Sequence, residues 1–197
     1  MLEYLSTLPL SSTRQPLSSL ANDQNPAIRI LDLGTGNGHL LFSLRDEGWQ
    51  AELVGVDYSA GSVALARQIA AAYRDEDGEE YTARGSDGVP PLTFEEYDII
   101  HGVPGGWLQD GFDVVLDKGT FDAISLSSET HPETGARVFE SYASKAAALV
   151  KQGGYMLVTS CNWTETELRR GGAVAHALFL RAEFAWVEMF GGVGREC

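Results

Sequence analysis

Residues 30–38 read Ile-Leu-Asp-Leu-Gly-Thr-Gly-Asn-Gly, and the fold turns on this stretch. An apolar run carries Asp32 near its end. Three glycines follow at alternate positions, Gly34, Gly36 and Gly38, and an amphipathic run begins at His39-Leu40-Leu41. The pattern is strand, tight turn, helix start. Glycine is required where the backbone takes positive φ or passes within contact distance of a ligand. A turn that opens onto a helix also offers backbone N–H groups to a polar ligand. The segment therefore reads as a loop for a nucleotide-type cofactor.

Spacing narrows the cofactor. The dinucleotide fingerprint G-x-G-x-x-G/A wants a small residue at its sixth position for close helix–strand packing. Here that position is His39. The match is to G-x-G-x-G, with an acid two residues before the first glycine. This spacing resembles that of class I S-adenosylmethionine (SAM) methyltransferases. A second short run, Leu53-Val-Gly-Val-Asp57, ends in a carboxylate about 20 residues beyond the glycines, where a strand tip can accept both ribose hydroxyls. Asp57 and Ser59 also suit a helix N-cap ahead of Ser62–Ala72.

Composition bounds the rest. The chain has 197 residues, 44% hydrophobic and 21% charged, which suits one domain over 1–197 with a real core. Residues 1–26 read as a weakly ordered N-terminal segment and 75–93 as an acidic loop insertion. The net charge of −14 argues against nucleic acid as a direct partner, since that binding normally needs a basic face. Cys161 and Cys197 lie far apart and no secretory signal precedes the domain, which points to a reduced, cytoplasmic protein. No run of about 18 apolar residues exists, so no membrane partner is expected. No metal site is read, and the chain is expected to be a monomer.

Strand and helix signals alternate. Strands are predicted at Ile28–Leu33, Leu53–Asp57, Glu95–Ile100, Phe112–Leu116, Tyr155–Ser160 and Phe184–Phe190. Helices are predicted at Gly38–Glu47, Ala60–Tyr73 and Glu133–Leu149, with a further start at Thr164. Lys151–Gly154 reads as a glycine cap and turn. The fold class is α/β, a Rossmann-like, mostly parallel sheet with helices on both faces. Right-handed crossovers place the ligand crevice at the carboxyl ends of the first four strands. Asp32, Asp57, Asp98 and Asp117 all fall at or near those ends.

Four blocks then carry a family resemblance. They are Ile-Leu-Asp-Leu-Gly-Thr-Gly-Asn-Gly (30–38), Gly-Val-Asp-Tyr-Ser (55–59), Leu-Asp-Lys-Gly-Thr-Phe-Asp-Ala-Ile-Ser-Leu (116–126) and Ser-Cys-Asn-Trp-Thr (160–164). They resemble the lysine methyltransferases of translation elongation factor 1-alpha. The resemblance implies a class I methyltransferase fold, SAM as cofactor, a cytoplasmic location and a protein lysine as acceptor. It implies that Gly34, Gly36 and Gly38 admit the methionine part, with Asp32 near its amino group. Asp57 would hold the ribose, Asp98 the adenine amino group, and Ile99 the ring face, with Tyr58 also among the cofactor-binding residues. Asp117, Lys118 and Phe121 would line the acceptor channel, with Asp117 orienting the amine. Many amine methyltransferases carry an Asn/Asp-Pro-Pro-Tyr loop there. This chain has Asp-Lys-Gly-Thr, so Trp163 and Phe121 are the candidates for an aromatic clamp. Asp122 reads as a helix cap. The family's final antiparallel strand is expected to be missing, which would leave the last strand without a proper neighbour. Two other readings stay open: a methyltransferase of this fold acting on a small molecule, and a non-catalytic SAM-binding domain.

Overall fold

Every residue of β1 (Arg29–Leu33) is buried, because this strand lies at the centre of a parallel sheet covered on both faces. Its alternating side chains feed two cores. Ile30 points into one with Leu53, Val114, Leu116 and Leu157; Leu31 and Leu33 point into the other with Val54, Val56, Val115 and Val158. Each such aliphatic contributes about 1.5–3 kcal/mol by leaving water. The computed structural model describes residues 5–6, 28–73 and 89–164, and the backbone of 182–186. The expected weak order of 1–26, most of the 75–93 insertion, the helix beyond Thr164 and the strand beyond Trp186 lie outside the described residues.

The order of elements is β1, α1 (His39–Asp46), β2 (Glu52–Asp57), α2 (Ala60–Ala72), β3 (Thr93–Glu96), β4 (Phe112–Lys118), α3 (Thr120–Leu126), a 3-10 turn (Val138–Ser141), α4 (Tyr142–Ala147), β5 (Val150–Thr159) and β6 (Ala182–Trp186). The sheet runs β3-β2-β1-β4-β5-β6, and every described strand pair is parallel. α1 and α2 pack on one face through Leu41, Phe42, Leu44, Val63, Ala66 and Ala70. α3 and α4 pack on the other through Phe121, Tyr142, Ala146 and Ala147. The strand order reverses between β1 and β4, and that reversal opens the crevice.

Several expectations are corrected. β3 ends at Glu96 rather than Ile100, because Asp98 Oδ1 accepts the N–H groups of Ile100 (2.7 Å) and His101 (3.1 Å) and folds the chain into a turn. The helix predicted over 133–149 begins only at Val138. Before it, an antiparallel bridge joins Thr130 to Arg137, and Gly135 takes φ +68°. α3 begins at Thr120, two residues ahead of Asp122, the residue read as a helix cap, and no range was predicted for it. Gly153 (φ +78°) and Gly154 lie inside β5, at a register shift against β4, and not in a turn; a Cβ on Gly154 would sit 2.8 Å from Asp113 O. The last strand does have a neighbour: β6 pairs with β5 from Gly154–Ala182 to Val158–Trp186.

At the amino end of the sheet, Arg29 is buried and fully engaged. It holds Glu52 through two nitrogens at 2.9 Å, donates to the carbonyls of Trp107, Leu108 and Gly111, and lies 4.4 Å over the Phe112 ring. A buried guanidinium is tolerated only with this many partners. It fixes the 104–111 connection and leaves the opposite, carboxyl end of the sheet for the site.

Candidate functional site

The glycine turn after β1 is built by different constraints at each glycine. All three have positive φ: +77° at Gly34, +58° at Gly36 and +83° at Gly38. A Cβ on Gly34 would lie 1.9 Å from Thr120 Oγ1, and one on Gly38 would lie 2.8 Å from the Phe94 ring. These two glycines let neighbouring elements close in. Gly36 meets nothing within 4 Å, so its face is open.

The N–H groups of Gly34, Thr35, Gly36 and Gly38 are spent inside the protein, which corrects the expectation that the glycines' N–H groups face a ligand. Those of Gly34 and Thr35 both donate to Val56 O, at 2.8 and 2.9 Å. Gly38 N–H donates to Thr35 O at 2.9 Å. Gly36 N–H donates to Asp57 Oδ2 at 2.9 Å, while Asp57 Oδ1 accepts from Ser59 N–H at 2.9 Å. Ser59, not Asp57, caps α2, through Ser62 N–H. Asp57 instead ties the tip of β2 to the glycine turn.

A cleft of about 490 Å³ lies over these carboxyl ends. That volume is within the range of small-molecule and cofactor pockets. It is lined by Leu33, Gly34, Asp57, Tyr58, Asp98 and Ile99 from the first three strand ends, and by Lys118, Gly119 and Thr120 from the fourth. Tyr58 is 76% exposed, while Ile99 is buried. Ile100, His101, Ile124, Glu129 and Val138 also stand in the wall, with Tyr97, Ala123 and Ser127, and none of these was predicted from sequence. His101 Nε2 meets Glu129 Oε1 at 3.0 Å on the rim.

Two of the three residues predicted to line an acceptor channel do not line the cleft. Asp117 is fully buried beneath it. Its carboxylate accepts the N–H groups of Thr120 (2.8 Å) and Phe121 (3.0 Å) and the hydroxyl of Tyr142. It holds down the start of α3, whose preceding residue, Gly119, takes φ +85°. Burial pushes the Asp117 carboxyl up to about 7, against the Tyr142 hydroxyl and the two N–H groups. Asp32, also buried, is pushed up to about 6 by burial; Thr35 Oγ1, close by but short of full hydrogen-bond geometry, and the Lys118 charge oppose this. Phe121 is a core ring, packed on Tyr142 (5.1 Å) and Trp163 (5.8 Å), so neither it nor Trp163 stands as a free clamp. Lys118 alone of the three reaches the cleft. Asp122 is not a helix cap. It accepts from Ser160 Oγ and from Cys161 N–H (2.7 Å), latching the end of β5 onto α3.

Residues 24–186 match the family described as the methyltransferase domain. The chain belongs to the methyltransferase domain family. It is 42% identical over 139 residues to the Saccharomyces cerevisiae protein-lysine N-methyltransferase EFM4, covering 71% of this chain and 53% of that protein. Its identity to the Schizosaccharomyces pombe protein-lysine N-methyltransferase efm4 is 37% over 158 residues, 76% of this chain and 59% of that protein. The Danio rerio EEF1A lysine methyltransferase 2 is 34% identical over 139 residues, 71% of this chain and 50% of that protein. The chain thus spans between half and three-fifths of the length of these relatives. Among the described residues no helix is long and apolar enough to cross a membrane. This methyltransferase domain presents its cleft at the strand-order reversal, where α/β sheets bind ligands.

Proposed function

We propose that the chain is a SAM-dependent protein-lysine N-methyltransferase whose acceptor is translation elongation factor 1-alpha, acting in the cytoplasm as a single-domain monomer. The observation that carries the reading is its identity, 31–42% over 71% of the chain, to a yeast protein named as a protein-lysine N-methyltransferase and to vertebrate proteins named as EEF1A lysine methyltransferases. The cleft fits the cofactor. Gly119, on the cleft wall, has positive φ and open space where a Cβ would stand, so a ligand can come against the backbone there; Gly36, outside the lining, has the same open face. When bound, SAM supplies a methyl group on a positively charged sulfur that is a good leaving group.

The chain's own residues do the rest. Asp57 has an acceptor carboxylate at the β2 tip for the two ribose hydroxyls, beside Tyr58. Asp98 keeps Oδ2 for the adenine amino group after Oδ1 has formed its turn, and Ile99 offers an apolar face to the ring. Asp32, buried and outside the cleft lining, would act on the amino group of the methionine part from beneath the glycine turn. Asp117 and Phe121 act as supports: they fix the Lys118-Gly119-Thr120 turn against which the acceptor must align. The acceptor amine has to arrive neutral, and a free lysine holds its proton up to about 10.4. Desolvation lowers that value, while a carboxylate such as Glu129 at the rim raises it. Orientation is therefore the main contribution of the protein.

The experiment is incubation of the purified chain with labelled SAM and elongation factor 1-alpha, followed by mass spectrometry. Label on a lysine of the factor is the expected result. Label on small molecules alone, or SAM binding without transfer to any acceptor, overturns it in favour of the small-molecule or non-catalytic reading.

A further inference from the structure

Lys118 is an unpaired cation in a place where the chain has every means to pair it. Acids outnumber Lys and Arg by 28 to 14. Of the basic side chains lining the cleft, His101 is bridged to Glu129 at 3.0 Å. The Lys118 side chain, exposed on the cleft wall, has no hydrogen bond or ion pair among the described residues.

Its place follows from strand register. Leu33 lies opposite Asp117, so Lys118 stands one residue further on, level with Gly34 across the strand-order reversal. Asp117 points to the face of Tyr142 and Phe121. By strand alternation Lys118 points to the other face, with Leu116 and with Asp32. Its charge reaches Asp32, whose carboxyl it pulls downward.

The reading that the cleft binds SAM, on which this inference rests, supplies three charged groups. Two are positive, the sulfonium and the α-ammonium; one is negative, the α-carboxylate. A carboxylate at a glycine turn would ordinarily be met by the turn's N–H groups. Here those of Gly34, Thr35, Gly36 and Gly38 are already donated to Val56 O, Asp57 and Thr35 O. An anion level with Gly34 therefore finds the N–H groups of Gly34, Thr35 and Gly36 already committed, and Lys118 is the uncommitted cation across from it. We propose that Lys118 is the counter-ion of the cofactor's α-carboxylate, and that it makes the cleft select ligands that keep the whole amino-acid end.

The test is calorimetric titration of the wild type and of Lys118→Met and Lys118→Arg with SAM, S-adenosylhomocysteine and decarboxylated SAM. Wild type should bind SAM at least tenfold more tightly than the decarboxylated compound, a difference of about 1.4 kcal/mol. Lys118→Met should lose that preference by weakening SAM and S-adenosylhomocysteine while leaving the decarboxylated compound unchanged, and Lys118→Arg should retain most of it. Equal weakening of all three ligands by Lys118→Met overturns the inference. So does unchanged SAM affinity accompanied by a shifted pH profile of kcat, which would place Lys118 at the acceptor amine. Failure of the wild type to bind SAM overturns the cofactor reading itself, so the two failures are told apart by the wild-type titration.

Discussion

The carboxylate of Asp57 accepts the backbone N–H of Gly36 at 2.9 Å, joining two residues 21 apart in sequence. The same side chain accepts Ser59 N–H and lines the cleft, so one acid both shapes the turn and faces the cleft. Asp57→Ala should lower SAM affinity at least tenfold, about 1.4 kcal/mol, in calorimetry. It should also cost about 1–3 kcal/mol of stability, because two part-buried N–H groups lose their acceptor. Asp57→Asn keeps one acceptor and should recover part of the stability but little of the affinity. A folded Asp57→Ala variant with wild-type affinity would remove the residue from ribose binding.

Gly34 and Gly36 should separate folding from binding. A Cβ on Gly34 would strike Thr120 Oγ1, which itself donates to Leu33 O at 2.7 Å. Gly34→Ala should therefore lower the melting temperature sharply, and adding Thr120→Ala should restore part of the loss. Gly36→Ala meets no protein atom, and its cost in the folded state is the left-handed backbone alone, about 1–2 kcal/mol. Its melting temperature should fall modestly while SAM affinity falls by more than tenfold. Wild-type affinity in Gly36→Ala would mean that no ligand approaches this face.

The glycine turn and the β2 tip were legible because their information is local. Positive-φ residues, an apolar strand before them and an acid at the next strand end all sit within a short span of sequence. Asp122 was misread for the opposite reason: its partners, Ser160 and Cys161, are 38 and 39 residues away, and nothing near Asp122 signals them. α3 was given no range because it is short and its free N–H groups are met by Asp117 from inside the preceding strand, an arrangement with no ordinary capping pattern. Asp117 was placed in the cleft because a strand-end acid reads as exposed; alternation turns it inward and leaves Lys118 outward. Glu129 and His101 meet through two irregular segments, and no periodicity marks either one.

The Asp122 latch predicts a local loss of order. Asp122→Ala removes the acceptor of Cys161 N–H and of Ser160 Oγ. Trp163, which donates through Nε1 to Ser125 Oγ and packs on Phe121 and Phe139, stands three residues beyond Ser160. Hydrogen exchange at the Cys161 amide should rise at least tenfold, and Trp163 fluorescence should shift to the red as the indole gains water. Exchange should stay unchanged in β1 and β2. Unaltered Cys161 exchange in the variant would show that the latch contributes nothing to order at this end of β5.

Asp117 predicts the pH dependence of stability. Burial raises its carboxyl from 3.8 to about 7, with Asp32 adding to the rise and Tyr142 opposing it. The folded chain thus keeps a proton that the unfolded chain has released between about pH 4 and pH 7. A raised carboxyl of this kind favours the fold fully below 3.8, and that contribution is lost as pH rises through about 7. Stability from this group should therefore decline with rising pH, at up to about 1.4 kcal/mol per pH unit. Asp32, raised to about 6, adds a second decline that ends about one unit lower. Asp117→Asn has no proton to lose and still offers an oxygen to Thr120 and Phe121 N–H. Denaturant unfolding from pH 5 to pH 8 should show a flatter profile for the Asn variant than for the wild type, with the variant gaining on the wild type as pH rises toward 8. The same variant should retain SAM binding, because Asp117 lies beneath the cleft. Identical pH profiles with abolished methyl transfer would instead return Asp117 to the acceptor amine.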